Sequence, residues 1–159
     1  METFQALPKQ KVVPFPLDSY RAVYQLAYNP RTKRLYAVGG NNVGKVAVFE
    51  AKEDGLGLIT RVPVGKGGYD GGAGLVVNER TNNIFVANSK DNTITVLDGY
   101  THRVWATIPV AEDPYALAVE FPTNTIYVGH RASSIVWMLG DVYRRARIPV
   151  DRYGRWDRQ

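Results

Sequence analysis

Apolar positions along this chain come in short runs broken by turns, and the runs recur in a fixed order three times. The cleanest series begins with Gly74-Leu75-Val76-Val77-Asn78 and turns through Glu79-Arg80-Thr81. It continues as Ile84-Phe85-Val86-Ala87-Asn88, Thr93-Ile94-Thr95-Val96-Leu97-Asp98-Gly99 and Val104-Trp105-Ala106-Thr107-Ile108-Pro109-Val110. Before it, Leu26-Ala27-Tyr28-Asn29-Pro30-Arg31-Thr32 precedes Leu35-Tyr36-Ala37-Val38, Lys45-Val46-Ala47-Val48-Phe49 and Val62-Pro63-Val64. After it, Leu117-Ala118-Val119 precedes Thr123-Asn124-Thr125-Ile126-Tyr127-Val128, Ser134-Ile135-Val136-Trp137-Met138 and Ile148-Pro149-Val150. Runs of this length, bounded by Asn, Asp, Gly, Pro and Thr, predict four short strands per unit. The second and third strands are apolar at almost consecutive positions, as strands are when both faces are covered. The fourth alternates, as in Arg145-Ala146-Arg147-Ile148, and carries a proline (Pro63, Pro109, Pro149) that cannot donate to a ladder and so suits an edge.

The spacing of the units identifies the architecture. Tyr36, Phe85 and Tyr127 lie 49 and 42 positions apart, and the three prolines 46 and 40. A period in the forties with four strands per unit predicts propeller blades. The expected fold is all-β, with three four-stranded antiparallel units forming a partial β-propeller. The blades span about 20–66, 67–112 and 113–150, between a leader over 1–19 and a basic aromatic tail over 151–159. Glycine-rich insertions at Lys52 to Leu58 and Gly65 to Gly72 are expected to lengthen loops without disturbing strands. Asp98-Gly99 is expected to end a strand where a positive backbone angle is needed.

Closed rings hold about four to eight blades, so an arc of three leaves an apolar blade face at each end that calls for a partner. Self-association into a six-bladed homodimer, a different subunit of a larger complex, or membership of a longer propeller would each close the ring. Val12-Val13-Pro14-Phe15-Pro16-Leu17 matches the last strand of a repeat. The leader is therefore either the spare outer strand of an earlier blade or an extended segment packed on the surface.

Composition narrows the chemistry more than the fold. At 159 residues and 45% hydrophobic content the chain can bury a core. No apolar run approaches the length of a membrane span, and Met1-Glu2-Thr3-Phe4 has neither the basic start nor the apolar stretch of a secretion signal. With no cysteine, disulfides, thiolate metal sites, iron–sulfur clusters and cysteine nucleophiles are excluded. The net charge of +5 is concentrated at the end, where Arg144, Arg145, Arg147, Arg152, Arg155 and Arg158 crowd together.

The run Thr81 to Asn88 (Thr-x-x-Ile-Phe-Val-Ala-Asn), followed by Asn92-Thr93-Ile94-Thr95-Val96-Leu97-Asp98-Gly99 and Ala106-Thr107-Ile108-Pro109-Val110, resembles the YVTN family of β-propeller repeats. The resemblance spans roughly Tyr20 to Val150 and is strongest in the second unit. It implies kinship with seven-bladed propellers of surface-layer-like, periplasmic and cytochrome d1-type proteins, and with it an extracytoplasmic location. Such kinship supports the fold rather than any single activity.

In a propeller the loops joining the second to the third strand gather with those entering the next blade around the central channel. Here they would bring Gly39-Gly40-Asn41-Asn42, Asn88 to Asn92 and Gly129-His130-Arg131 together with Asp18, Asp70, Glu112 and Asp113. His130, Asp113 and Asp70 are the candidate metal or catalytic group, since histidine is a common ligand and related propellers hold metals or hemes there. Against this, no ligand-spaced histidine pair is present, and the equivalents of His130 are Asn88 and Gly39. No catalytic residue and no cofactor is predicted. Nothing resembles a nucleophile elbow, a phosphate loop or a dinucleotide fingerprint. Tyr143, Arg147, Tyr153, Arg155 and Trp156 mix the residue types favoured as anchors of protein interfaces, which points to docking on another protein rather than on nucleic acid. The function expected is a non-catalytic assembly module whose blade faces at Leu26 to Phe49 and Ile126 to Met138 pair with another chain. The competing expectation is a subunit of an enzyme or electron-transfer complex with a metal or heme near His130.

Overall fold

The computed structural model describes residues 23–39, 44–65 and 74–141. Strands β1 (Val23–Asn29), β2 (Arg34–Gly39), β3 (Lys45–Lys52) and β4 (Gly55–Pro63) form one antiparallel sheet. Strands β5 (Leu75–Asn78), β6 (Asn83–Asn88), β7 (Thr93–Asp98) and β8 (Arg103–Pro109) form a second, and β9 (Pro114–Glu120), β10 (Thr125–His130) and β11 (Val136–Gly140) a third. Every sheet is a meander in which neighbours along the chain are neighbours in the sheet. This is the all-β, partial-propeller arrangement that the repeats predict. The expected strand at Ile148-Pro149-Val150, the leader and the Gly65–Gly72 insertion beyond Gly65 lie outside the described residues.

The innermost strands β1, β5 and β9 lie next to one another, and each sheet packs its face on the next. Tyr36, Val38, Val46, Val48 and Val62 of the first blade meet Leu75, Val77, Ile84, Val86 and Leu97 of the second. The opposite face of the second blade, with Phe85, Ala87, Ile94 and Val96, meets Ile126, Val128, Leu117, Val119 and Leu139 of the third. Two covered faces explain why β6 is buried along its whole length and β7 at all but its first residue. Close approach sets one glycine: a Cβ at Gly74 would come 2.5 Å from the Tyr115 carbonyl oxygen of the neighbouring inner strand.

The turn from first to second strand is built the same way in each blade. Its last residue is left-handed in all three, with φ of 55° at Lys33, 57° at Asn82 and 52° at Asn124. Asparagine tolerates this region better than most residues. The carbonyl of that residue accepts a hydrogen bond from the end of the third strand, from Ala51 N at 3.1 Å, Gly99 N at 2.8 Å and Asp141 N at 2.7 Å.

Three local expectations are corrected. Lys52 to Leu58 does not enlarge a loop: Glu50 pairs with Gly57, Ala51 with Leu56 and Lys52 with Gly55, so the insertion lengthens the β3–β4 hairpin. Gly55, at φ 149°, lets the chain reverse over two residues there. The positive angle after β7 belongs to His102 (φ 57°), not to Gly99. Gly99 is required for space instead, because a Cβ would fall on the side-chain amide of Asn82. Finally, two-sided burial of the third strand fails in the third blade, where β11 is exposed at four of its five residues.

Candidate functional site

Of the loops predicted to share one face, those carrying Asn92, Asp113 and Arg131 meet, whereas Gly40, Asn41 and Asn42 lie outside the described residues. Val110 N donates to Asn92 O at 3.0 Å, and Asp113 N donates to Asn92 Oδ1 at 2.9 Å. Arg131 N donates to Asp113 O at 3.0 Å, which closes the chain of contacts from the second blade to the third. The geometry then spends these groups on one another. The Arg131 guanidinium donates from Nε and Nη2 to the two Asp113 carboxylate oxygens, each at 3.1 Å, and lies 4.6 Å from the centroid of the Tyr115 ring. That pairing is bidentate and stacked, a geometry suited to fixing a loop.

His130 sits at the end of β10, paired with Pro114 beside Asp113. Its Nδ1 is 3.0 Å from the Ile135 carbonyl oxygen, a contact in which the ring N–H donates. The Asp113 carboxylate is directed to Arg131 rather than to the imidazole. Asn88, at the equivalent place in the second blade, donates to Thr95 Oγ1 at 2.7 Å and Thr93 Oγ1 at 3.1 Å, a structural role. Among the described residues no group of three or more His, Asp or Glu side chains is gathered as metal ligands would be. Asp18 and Asp70 lie outside the described residues, as do Tyr143, Arg147, Tyr153, Arg155 and Trp156.

The joints between blades carry a polar pattern that the hydrophobic runs do not announce. Asn29 Nδ2 of the first blade donates to Asn82 Oδ1 of the second at 2.9 Å. One blade further on, Asn78 Nδ2 donates to Asn124 Oδ1 of the third at 3.2 Å. The same two turn positions are used both times: the residue that ends the first strand reaches the left-handed residue of the next blade. The second joint is further tied by the buried Asp141 carboxylate, which accepts from Asn78 Nδ2 (2.8 Å), Asn83 Nδ2 (2.6 Å) and Thr81 Oγ1 (2.5 Å). Buried carboxylates persist where several donors converge in this way.

The ends of the arc contrast with its middle. Ile94 and Val96 on β7 are 0% and 1% exposed, whereas Val136 and Met138, at the same register on β11, are 60% and 66% exposed. Trp137 and Ile135 are exposed beside them. At the other end Tyr24, Leu26 and Tyr28 of β1 are open, each about half exposed. The expected docking face at Leu26 to Phe49 is thus narrower than predicted, because Ala37, Ala47 and Phe49 are fully buried, with Val23, Leu35 and Leu56 packed on them. Likewise Ile126 and Val128 are buried against the second blade, so the open face of the third is centred on Val136 and Met138.

Solved propeller enzymes share this architecture. The chain superposes on XC5397 of Xanthomonas campestris, described as a gluconolactonase important in glucose secondary metabolic pathways, with a TM-score of 0.58 and 16% identity over 74% of this chain and 37% of that one. It superposes on a luciferin-regenerating enzyme with a TM-score of 0.55 and 14% identity over 77% of this chain and 46% of that one. Against the hydrazine synthase of Kuenenia stuttgartiensis the TM-score is 0.61 at 15% identity, over 80% of this chain and 47% of that one. At such identities the likeness concerns the fold alone. The chain spans less than half the length of each of these three structures. No protein-family model matches the chain, and no curated relative does either. No helix among the described residues is long and apolar enough to cross a membrane.

Proposed function

We propose that this chain is a non-catalytic assembly module, a partial β-propeller of the YVTN type completed by another polypeptide, either a second copy or a different subunit of a larger complex. The observation that carries the reading is the exposure of Val136 and Met138 where the middle blade has buried residues. Covering a side chain of that size contributes roughly 1.5–3 kcal/mol each, so a docked blade would be held chiefly by this face. The family kinship rests on the Thr81–Asn88 motif and its continuation to Val110. Tyr143, Arg147, Tyr153, Arg155 and Trp156 would add aromatic and charged contacts to the same union.

Light scattering coupled to size exclusion over a range of concentrations tests the reading, with Val136→Asp/Met138→Asp as the companion variant. The expected result is a wild-type chain that associates and a double variant that keeps its fold by circular dichroism but no longer does. A wild-type chain that stays a well-behaved monomer of 17.7 kDa at every concentration, and gains nothing from the polar replacements, would sink it.

A further inference from the structure

The two joints between blades are built on one plan, but only the second supplies its own carboxylate. There Asp141 is gripped by Asn78, Thr81 and Asn83 of the preceding blade, each donating to it from the side chain. At the first joint the corresponding positions carry Asn29, Thr32 and Arg34, all of them able to donate. The position of Asp141 is taken by Gly99: Gly99 N donates to Asn82 O just as Asp141 N donates to Asn124 O. The donors are therefore repeated from joint to joint, and the acceptor is not.

Unpartnered polar atoms collect at this first joint. Tyr36 and Asn82 are 0% and 2% exposed, yet Tyr36 Oη and Asn82 Nδ2 have no hydrogen-bond partner. Thr32 Oγ1, the counterpart of the Thr81 hydroxyl that donates to Asp141, and His102 Nδ1 are buried without a partner as well. These groups are neighbours. Asn29 Nδ2 donates to Asn82 Oδ1 across the joint, Arg34 Nη1 donates to Thr32 O at 3.1 Å, and Arg34 and Asp98 both act electrostatically on Tyr36 and on His102. None of the side chains around Asp141 has an atom in that condition. Buried donors without an acceptor are costly, and a cluster of them marks a place that a bound group completes.

The chemistry selects that group. Asn82 Nδ2 and the Arg34 guanidinium can only donate, and the Thr32 and Tyr36 hydroxyls can do so too. Arg34 brings positive charge; Asp98 opposes it, with its Oδ1 accepting from Tyr100 N at 2.9 Å. A carboxylate cannot be tethered at residue 99, because a Cβ there would collide with the Asn82 amide. Thr32 and Arg34 are half-buried beside the exposed Arg31 and Lys33, so the joint lies next to a basic rim. We infer that the first joint is a binding site for a small free carboxylate of formate or acetate size, held by Thr32, Arg34, Tyr36 and Asn82 as Asp141 is held one joint later. Its binding fastens the first blade to the second.

Titration with sodium acetate at constant pH and ionic strength, with chloride as the balancing anion, tests the site. The side-chain amide of Asn82 should shift saturably, with one acetate per chain, in proton–nitrogen correlation spectra. Melting temperature should rise by roughly 3–6 °C for each tenfold increase of acetate above its Kd. Thr32→Val and Arg34→Met should each weaken binding at least ~10-fold, whereas Thr32→Ser, which keeps the hydroxyl, should bind like wild type. An Asn82 amide that acetate does not move overturns the proposal. So does a response that chloride alone reproduces, or one that Thr32→Val and Arg34→Met both retain in full.

Discussion

The second and third blades are written in nearly the same pattern yet live in opposite surroundings. In the second, Ile94 and Val96 are sealed between two neighbours. In the third, Val136 and Met138 occupy the same places along the strand and face outward without cover from the described residues. The amino acids are equally apolar, so the difference lies in the position of the blade in the row and not in its composition. At this register burial follows from having a neighbouring blade, and the third blade is made of residues suited to one.

Substitutions at matched positions can break this comparison. The largest effect is expected for Ile94→Ala, which removes buried volume from the second joint and should cost about 2–5 kcal/mol in denaturant unfolding. Val136→Ala at the same register should stay within about 0.5 kcal/mol in the dissociated chain, and equal losses at the two sites would end the contrast. Next comes Gly99→Ala, whose new methyl group collides with the Asn82 amide and disturbs its bond to Asn29, at a cost of roughly 1–3 kcal/mol. Gly140→Ala, where a Cβ meets nothing within 4 Å, is the control, and thermal melts of the pair should separate clearly. The smallest effect concerns pH. Burial holds the His102 imidazole below its usual range, aided by Arg34 and opposed by Asp98. Because the folded value is depressed, protonation favours the unfolded chain. The contribution is complete above the ordinary value of 6.5 and is lost as the pH falls through the depressed one. His102→Asn keeps a left-handed turn residue and should flatten the fall in melting temperature between about pH 7 and about pH 5. A variant that loses stability with acid as steeply as wild type would assign that dependence to other groups.

The architecture was legible because the repeats state it in apolar runs: Ile84 to Asn88 and Thr93 to Asp98 could only be strands covered on both sides. Edge prolines also stand where expected, Pro63 and Pro109 closing β4 and β8. Less could be read of the joints. Asn78 and Asn124 look like ordinary turn residues, and only the register of neighbouring sheets reveals that their side chains bond across blades. A signal was present all the same: aligning the turns gives Asn29, Asn78, Glu120 in one column and Lys33, Asn82, Asn124 in another. The hairpin extension over Lys52 to Leu58 was hidden because its glycines suggest a loop, whereas pairing of Ala51 with Leu56 prevails over that local preference. Where the Asn92, Asp113 and Arg131 loops meet, proximity of Asp113 and His130 was foreseeable from the repeat order, but capture of the carboxylate by Arg131 depends on side-chain directions that spacing does not encode.

The meander connectivity has an energetic consequence. Each sheet is built from strands adjacent in sequence, so little loop entropy is spent in forming one blade, and among the described residues each sheet packs on its immediate neighbours. The row therefore behaves as a short one-dimensional array of coupled units, in which the central unit draws on two couplings and each outer unit on one. Thermal fluctuations open such an array from its ends inward.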